Sequence, residues 1–138
     1  MAAVASYSQD PRSMVEDLRK SAADAFVTIG YSFTGQAGEM EIEDEGVVEA
    51  QDDMWHLKGR NIEIYTSEGA TWILDPDSRE ALVEPAWTYE DLVRFYSSVS
   101  ESGKGPEIKI ISRALSEKKP MAYFTPVLDD GWVVTDLR

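Results

Sequence analysis

The chain has 138 residues, a hydrophobic fraction of 43% and a formal net charge of -13 from 13 basic and 26 acidic side chains. That is one domain's length and a globular composition, and the charge argues against nucleic acid, whose phosphates require a basic stripe, and against anionic lipid headgroups. The absence of cysteine excludes disulfides, thiolate zinc sites, a thiol nucleophile and a lipidated N-terminal Cys, and no apolar run nears the roughly 20 residues of a membrane-spanning helix.

Residues 1–9 read as a flexible N-terminus. Their start, Met1-Ala-Ala-Val-Ala-Ser-Tyr-Ser8, lacks a basic n-region and has too short an apolar stretch for an h-region; a mature end left by processing, with Met1 added for expression, is one of the readings open to it. A helix is expected from Asp10 to Ala25, with Asp10 as N-cap, Pro11 in the first turn, and Val15, Leu18, Ala22 and Phe26 at helical spacing. The period then becomes two. Val27, Ile29, Tyr31 and Phe33 alternate with Thr28, Gly30, Ser32 and Thr34, the pattern of a half-buried antiparallel strand.

Short strands follow near 38–43, 46–51, 54–58, 61–67, 70–75 and 79–84. Between them, Glu43-Asp-Glu-Gly46 and Ser67-Glu-Gly69 place Gly where a hairpin needs positive φ, and Asp75-Pro-Asp-Ser78 suits a type I turn. Gln51-Asp-Asp53 and Gly59-Arg-Asn61 are weaker turns of the same sort. Thr88 begins a second helix, with Asp91 completing a variant capping box and Leu92, Phe95, Tyr96 and Val99 forming one stripe. A polar, Gly-containing loop ends this helix within 97–105. Strands are expected again over Glu107–Ala114, Met121–Leu128 and Trp132–Leu137, the last two joined at Asp129-Asp-Gly131. The whole is a single domain over 10–138: an α+β fold with a curved antiparallel sheet lined by Ile62, Ile64, Trp72 and Leu74, its concave face covered by amphipathic helices.

Little of this reads as catalysis. The one histidine, His56, alternates with Trp55 and Leu57 and is expected on the solvent side with Met54 and Lys58, so no nucleophile–histidine pair forms around it. Gly103-Lys-Gly105 is too short for a phosphate loop and precedes a strand. The acidic run Glu39, Glu41, Glu43, Asp44, Glu45, Glu49, Asp52, Asp53 matches no calcium loop, and solvated turns explain it; Lys104, Lys109, Arg113, Lys118 and Lys119 form a basic counterpart. Trp55, Trp72, Trp87 and Trp132, with Phe26, Phe33, Phe95, Phe124, Met40 and Met121, either fill an ordinary core or line a concavity that accepts an acyl chain or apolar peptide.

The stretch Gly46-Val-Val-Glu-Ala-Gln-Asp-Asp-Met-Trp-His-Leu-Lys-Gly59, followed by Ile62-Glu-Ile-Tyr-Thr-Ser-Glu-Gly-Ala-Thr-Trp-Ile-Leu-Asp-Pro-Asp-Ser-Arg-Glu-Ala-Leu-Val-Glu84, resembles the LolA-like periplasmic outer-membrane lipoprotein carriers. The likeness spans roughly 10–100 and includes the hairpin Ser67-Glu-Gly69-Ala-Thr-Trp72 and the turn Asp75-Pro76. It implies an open, incomplete β-barrel with helices over its mouth. It also implies a periplasmic, monomeric, non-enzymatic carrier without cofactor, which holds lipoprotein acyl chains or other apolar cargo and meets membrane-bound delivery and receptor proteins. Phe33, Trp55, Ile64, Trp72, Leu74, Leu92 and Phe95 are then the candidate cavity residues. A protein–protein module using the same face without lipid is the alternative.

Overall fold

A computed structural model describes residues 7–37, 39–98 and 106–138. The elements run β1 Tyr7–Gln9, α1 Pro11–Ala22, β2 Phe26–Ala37, β3 Met40–Gln51, β4 Met54–Lys58, β5 Glu63–Ser67, β6 Ala70–Asp75, β7 Glu80–Glu84, α2 Tyr89–Ser98, β8 Glu107–Ser116, a 3-10 turn Met121–Phe124 and β9 Val133–Asp136. All nine strands join one sheet in the order β1-β8-β2-β3-β4-β5-β6-β7-β9, which is not closed. Every pair is antiparallel except β7 with β9.

Local chemistry accounts for the helix ends. The Asp10 carboxylate accepts the Ser13 amide at 2.7 Å, satisfying one orphan donor of α1. At α2 the box is reciprocal: the Thr88 hydroxyl accepts from the Asp91 amide at 3.2 Å, and Asp91 accepts from the Thr88 amide at 2.8 Å. The α1 helix stops at Ala22, before the expected Ala25. Phe26 opens β2 and does not continue the helical stripe.

Directly opposed residues share a face, so the register sorts the side chains. Val27, Ala50, Trp55, Thr66 and Thr71 form one row, and Ile29, Val48, Leu57, Ile64 and Ile73 the next. These rows share one hydrophobic core with Met14, Val15, Leu18 and Ala22 of α1 and Tyr89, Leu92, Val93 and Tyr96 of α2. The opposite face carries Glu49, His56, Tyr65, Trp72 and Val83. After β8 the chain crosses that second face. There Gln51 clasps Lys119 through both amide atoms, at 2.6 and 2.7 Å, and fully buried Phe124 lies 6.2 Å from the Phe26 ring.

Several expectations need correction. Glu43–Gly46 is no hairpin: 40–51 is one strand, and the reversal lies between the paired Ala37 and Met40. Gly46 is required for another reason, since a Cβ there would sit 2.5 Å from the Tyr31 hydroxyl. Residues 121–128 form no strand. Pro126 removes a ladder donor, and Met121–Phe124 coil into a 3-10 turn after Pro120. The segment 133–136 consequently adds to β7 in parallel rather than closing a hairpin at Asp129–Gly131. Of the N-terminal stretch, Tyr7–Gln9 pair with β8 as β1. Val99, Gly103-Lys-Gly105 and residues 1–6 lie outside the described residues.

The other turns follow their sequences. Ser67 pairs with Ala70 around Gly69 at φ 84°, Asp52 takes φ 53° between β3 and β4, and Asp75 accepts the Asp77 and Ser78 amides.

Candidate apolar cleft

The seven candidate cavity residues do not come together. Phe33, Trp55, Ile64, Leu92 and Phe95 belong to the side shared with the helices, whereas Trp72 and Leu74 point to the opposite face. The cause is the two-residue turn between β5 and β6. It pairs Ile64 with Ile73, so residues of like parity on the two strands face opposite ways, and Ile64 and Trp72 cannot share a face. Phe33, Trp55, Ile64 and Leu92 are each 4% exposed or less. Beneath Phe95 and Tyr96 only about 70 Å³ remains, against Tyr31, Phe33, Leu57 and Ile62. That is well short of the roughly 300 Å³ at which small-molecule sites begin.

A larger open space lies elsewhere. A cleft of about 860 Å³ sits at one end of the sheet, where α1, the start of α2 and the β3–β4 and β5–β6 turns converge. Its apolar lining includes Val15, Met54, Ala86, Trp87, Val93 and Met121. Buried Thr66 also contributes, its hydroxyl 2.9 Å from that of Thr71. Thr71 in turn accepts the Trp87 amide at 2.7 Å, and the Trp87 indole donates to Glu84 at 2.9 Å, so the segment entering α2 is fastened at both ring and backbone. Trp87 packs 6.2 Å from Trp55 and 6.4 Å from Phe95.

The Tyr89 hydroxyl donates to the Asp52 carbonyl at 2.5 Å, tying α2 to the β3–β4 turn. Burial, helped by the nearby Asp53 and Asp52 carboxylates, pushes its phenol pKa up, so it stays a neutral donor. Arg12 of α1 forks onto Glu90 of α2 at 2.7 and 2.9 Å and holds that carboxyl below its ordinary range.

His56 is the second polar feature. It does lie on the face opposite Trp55 and Leu57, but it is not open to solvent: its side chain is 13% exposed. Its ring stacks on Tyr65 at 3.9 Å, with Glu49 at 3.5 Å and Glu63 at 4.0 Å from its two nitrogens. Tyr123 caps Glu49 at 2.8 Å and Tyr65 binds Glu63 at 3.2 Å. Burial lowers the imidazole pKa from its ordinary value, against the two carboxylates, which raise it. Among the described residues no group of His, Asp and Glu side chains could hold a metal ion, and no helix is long and apolar enough to cross a membrane.

Neither the family models nor the curated proteins give a match to this chain. Sequence reasoning missed the cleft because its walls come from five separate segments. Only the closely spaced Ala86, Trp87, Tyr89 and Val93 could have signalled it.

Proposed function

We propose that the protein is a non-catalytic, monomeric carrier of the LolA-like kind, working in the periplasm with membrane-bound delivery and receptor proteins. In this reading the open sheet is an incomplete barrel whose concave side the two helices cover. The cargo is the acyl chain of a lipidated protein or a similar apolar group. It lies in the cleft at the end of the sheet, not between the helices and the strands.

The observation that carries the reading is the cleft itself. Its volume of about 860 Å³ falls in the range of ligand sites, and Val15, Met54, Ala86, Trp87, Val93 and Met121 give it an apolar floor beneath a polar and charged rim. Met54 and Met121 supply flexible walls that adapt to a chain of variable shape.

A titration with an environment-sensitive fluorescent fatty acid tests it. Saturable binding is expected for the native protein and for Phe95→Ala, and loss of binding for Met121→Glu and Ala86→Trp. Both of the latter replace exposed cleft residues, so the fold should survive. No binding of any acyl probe would sink the carrier reading. The alternative, a protein–protein module without lipid, is favoured by the apolar edge at β9, where Val133 and Leu137 are 66% and 56% exposed.

A further inference from the structure

The rim of the same cleft is acidic. Glu16, Asp52, Asp53, Glu68 and Glu90 line it, against a single base, Arg19. Three of these acids are already paired: Glu16 with Arg19 at 3.0 Å, Asp52 with Lys118 at 2.9 Å and Glu90 with Arg12 at 2.7 Å. Asp53 and Glu68 have no ion-pair partner among the described residues. Both are exposed, one on the β3–β4 turn and the other on the β5–β6 turn, where they stand over the apolar floor made by Val15, Trp87 and Val93.

We propose that the cleft selects a cationic acylated polypeptide, with the acyl chain on the floor and Lys or Arg residues beside the acyl anchor meeting Asp53 and Glu68. The inference rests on the carrier reading and names its cargo class. Charge complementarity supports it twice. The two free carboxylates offer local partners for an ammonium or guanidinium, and the net charge of -13 gives a field that draws cations from a distance and repels anionic headgroups. An anionic or neutral amphipath would satisfy the floor but leave both rim acids solvated or opposed.

Four peptides of equal length distinguish the outcomes: palmitoylated with two Lys next to the anchor, palmitoylated with two Ser, palmitoylated with two Glu, and the Lys peptide without its acyl chain. Isothermal titration should rank the palmitoylated Lys peptide about fivefold tighter than the Ser peptide, the gain expected from two exposed ion pairs, and the Glu peptide weakest. The Lys–Ser difference should vanish at high salt and in the Asp53→Asn/Glu68→Gln double variant. Equal affinities of the three palmitoylated peptides at low salt would overturn this inference and leave the carrier reading intact. Failure of all three to bind would overturn both. Equal binding of the Lys peptide with and without its acyl chain would make the partner a plain basic peptide, which also contradicts the proposal.

Discussion

The Thr71 hydroxyl accepts the backbone N–H of Trp87 at 2.7 Å while bonding the Thr66 hydroxyl at 2.9 Å, so one side chain of β6 fixes both the floor of the cleft and the chain entering α2. Thr71 is fully buried, out of reach of bulk solvent. Thr71→Val keeps the shape and removes the acceptor, leaving an amide and a hydroxyl unpaired. The expected loss is about 1–3 kcal/mol in urea denaturation, with weaker binding of an acyl probe. A change below roughly 0.5 kcal/mol would show that these bonds are readily replaced.

Gly46 and Tyr31 set a second constraint. A Cβ on residue 46 would lie 2.5 Å from the Tyr31 hydroxyl and 3.0 Å from the Lys58 carbonyl oxygen. Gly46→Ala should therefore cost about 1–3 kcal/mol, the range for overpacking. Pairing with Tyr31→Phe, which removes the clashing oxygen, should recover part of that loss. Additive losses in the double variant would contradict the assigned contact.

These two cases show where the sequence was legible. Alternation over 27–34 and the Thr88–Asp91 box depend on neighbours in the chain, and both appear as read. Glu43–Gly46 reads as a turn because its Gly suits the positive φ that a hairpin needs. The glycine was instead answering a ring on the next strand, which local spacing cannot reveal. The resemblance groups Trp72 and Leu74 with Ile64, but the pairing across Ser67–Ala70 turns residues of like parity on the two strands to opposite faces. The cleft joins residues as distant as Val15 and Met121, a juxtaposition only the folded chain creates.

Leu92 and Phe95 lie on the same helix and should differ. Leu92 is fully buried in the core, so Leu92→Ala should cost about 2–5 kcal/mol. Phe95 is only half-buried, beside Trp87 and Tyr96, and Phe95→Ala should cost less, about 1–2 kcal/mol. Thermal denaturation of the two variants checks the order. A larger loss for Phe95→Ala would mean that the core lies nearer the end of α2 than described.

His56 is enclosed by Tyr65, Glu49 and Glu63, so His56→Gln should cost about 1 kcal/mol or more, above the range of a surface position. Its pKa is lowered from 6.5, chiefly by burial. The unfolded chain therefore takes up this proton first as pH falls. The contribution of His56 to stability is present above 6.5 and is lost as pH drops through that value toward the lowered folded pKa. It is the only histidine, so one imidazole NMR titration reads it without ambiguity. A pKa above 6.5 would mean that the carboxylates outweigh burial, reversing the sign.

The central claim is that an apolar chain occupies the end cleft, and photo-crosslinking tests it most directly. A diazirine-bearing palmitoyl peptide is bound to the intact protein, irradiated, and the adducts are mapped by peptide mass spectrometry. Saturable labelling of Val15, Trp87, Val93 and Met121, competed by unlabelled acyl peptide, is the predicted result. Labelling confined to Phe33, Leu57 and Phe95 would place the cargo under α2, and labelling that neither saturates nor is competed would leave the protein without an apolar cargo site.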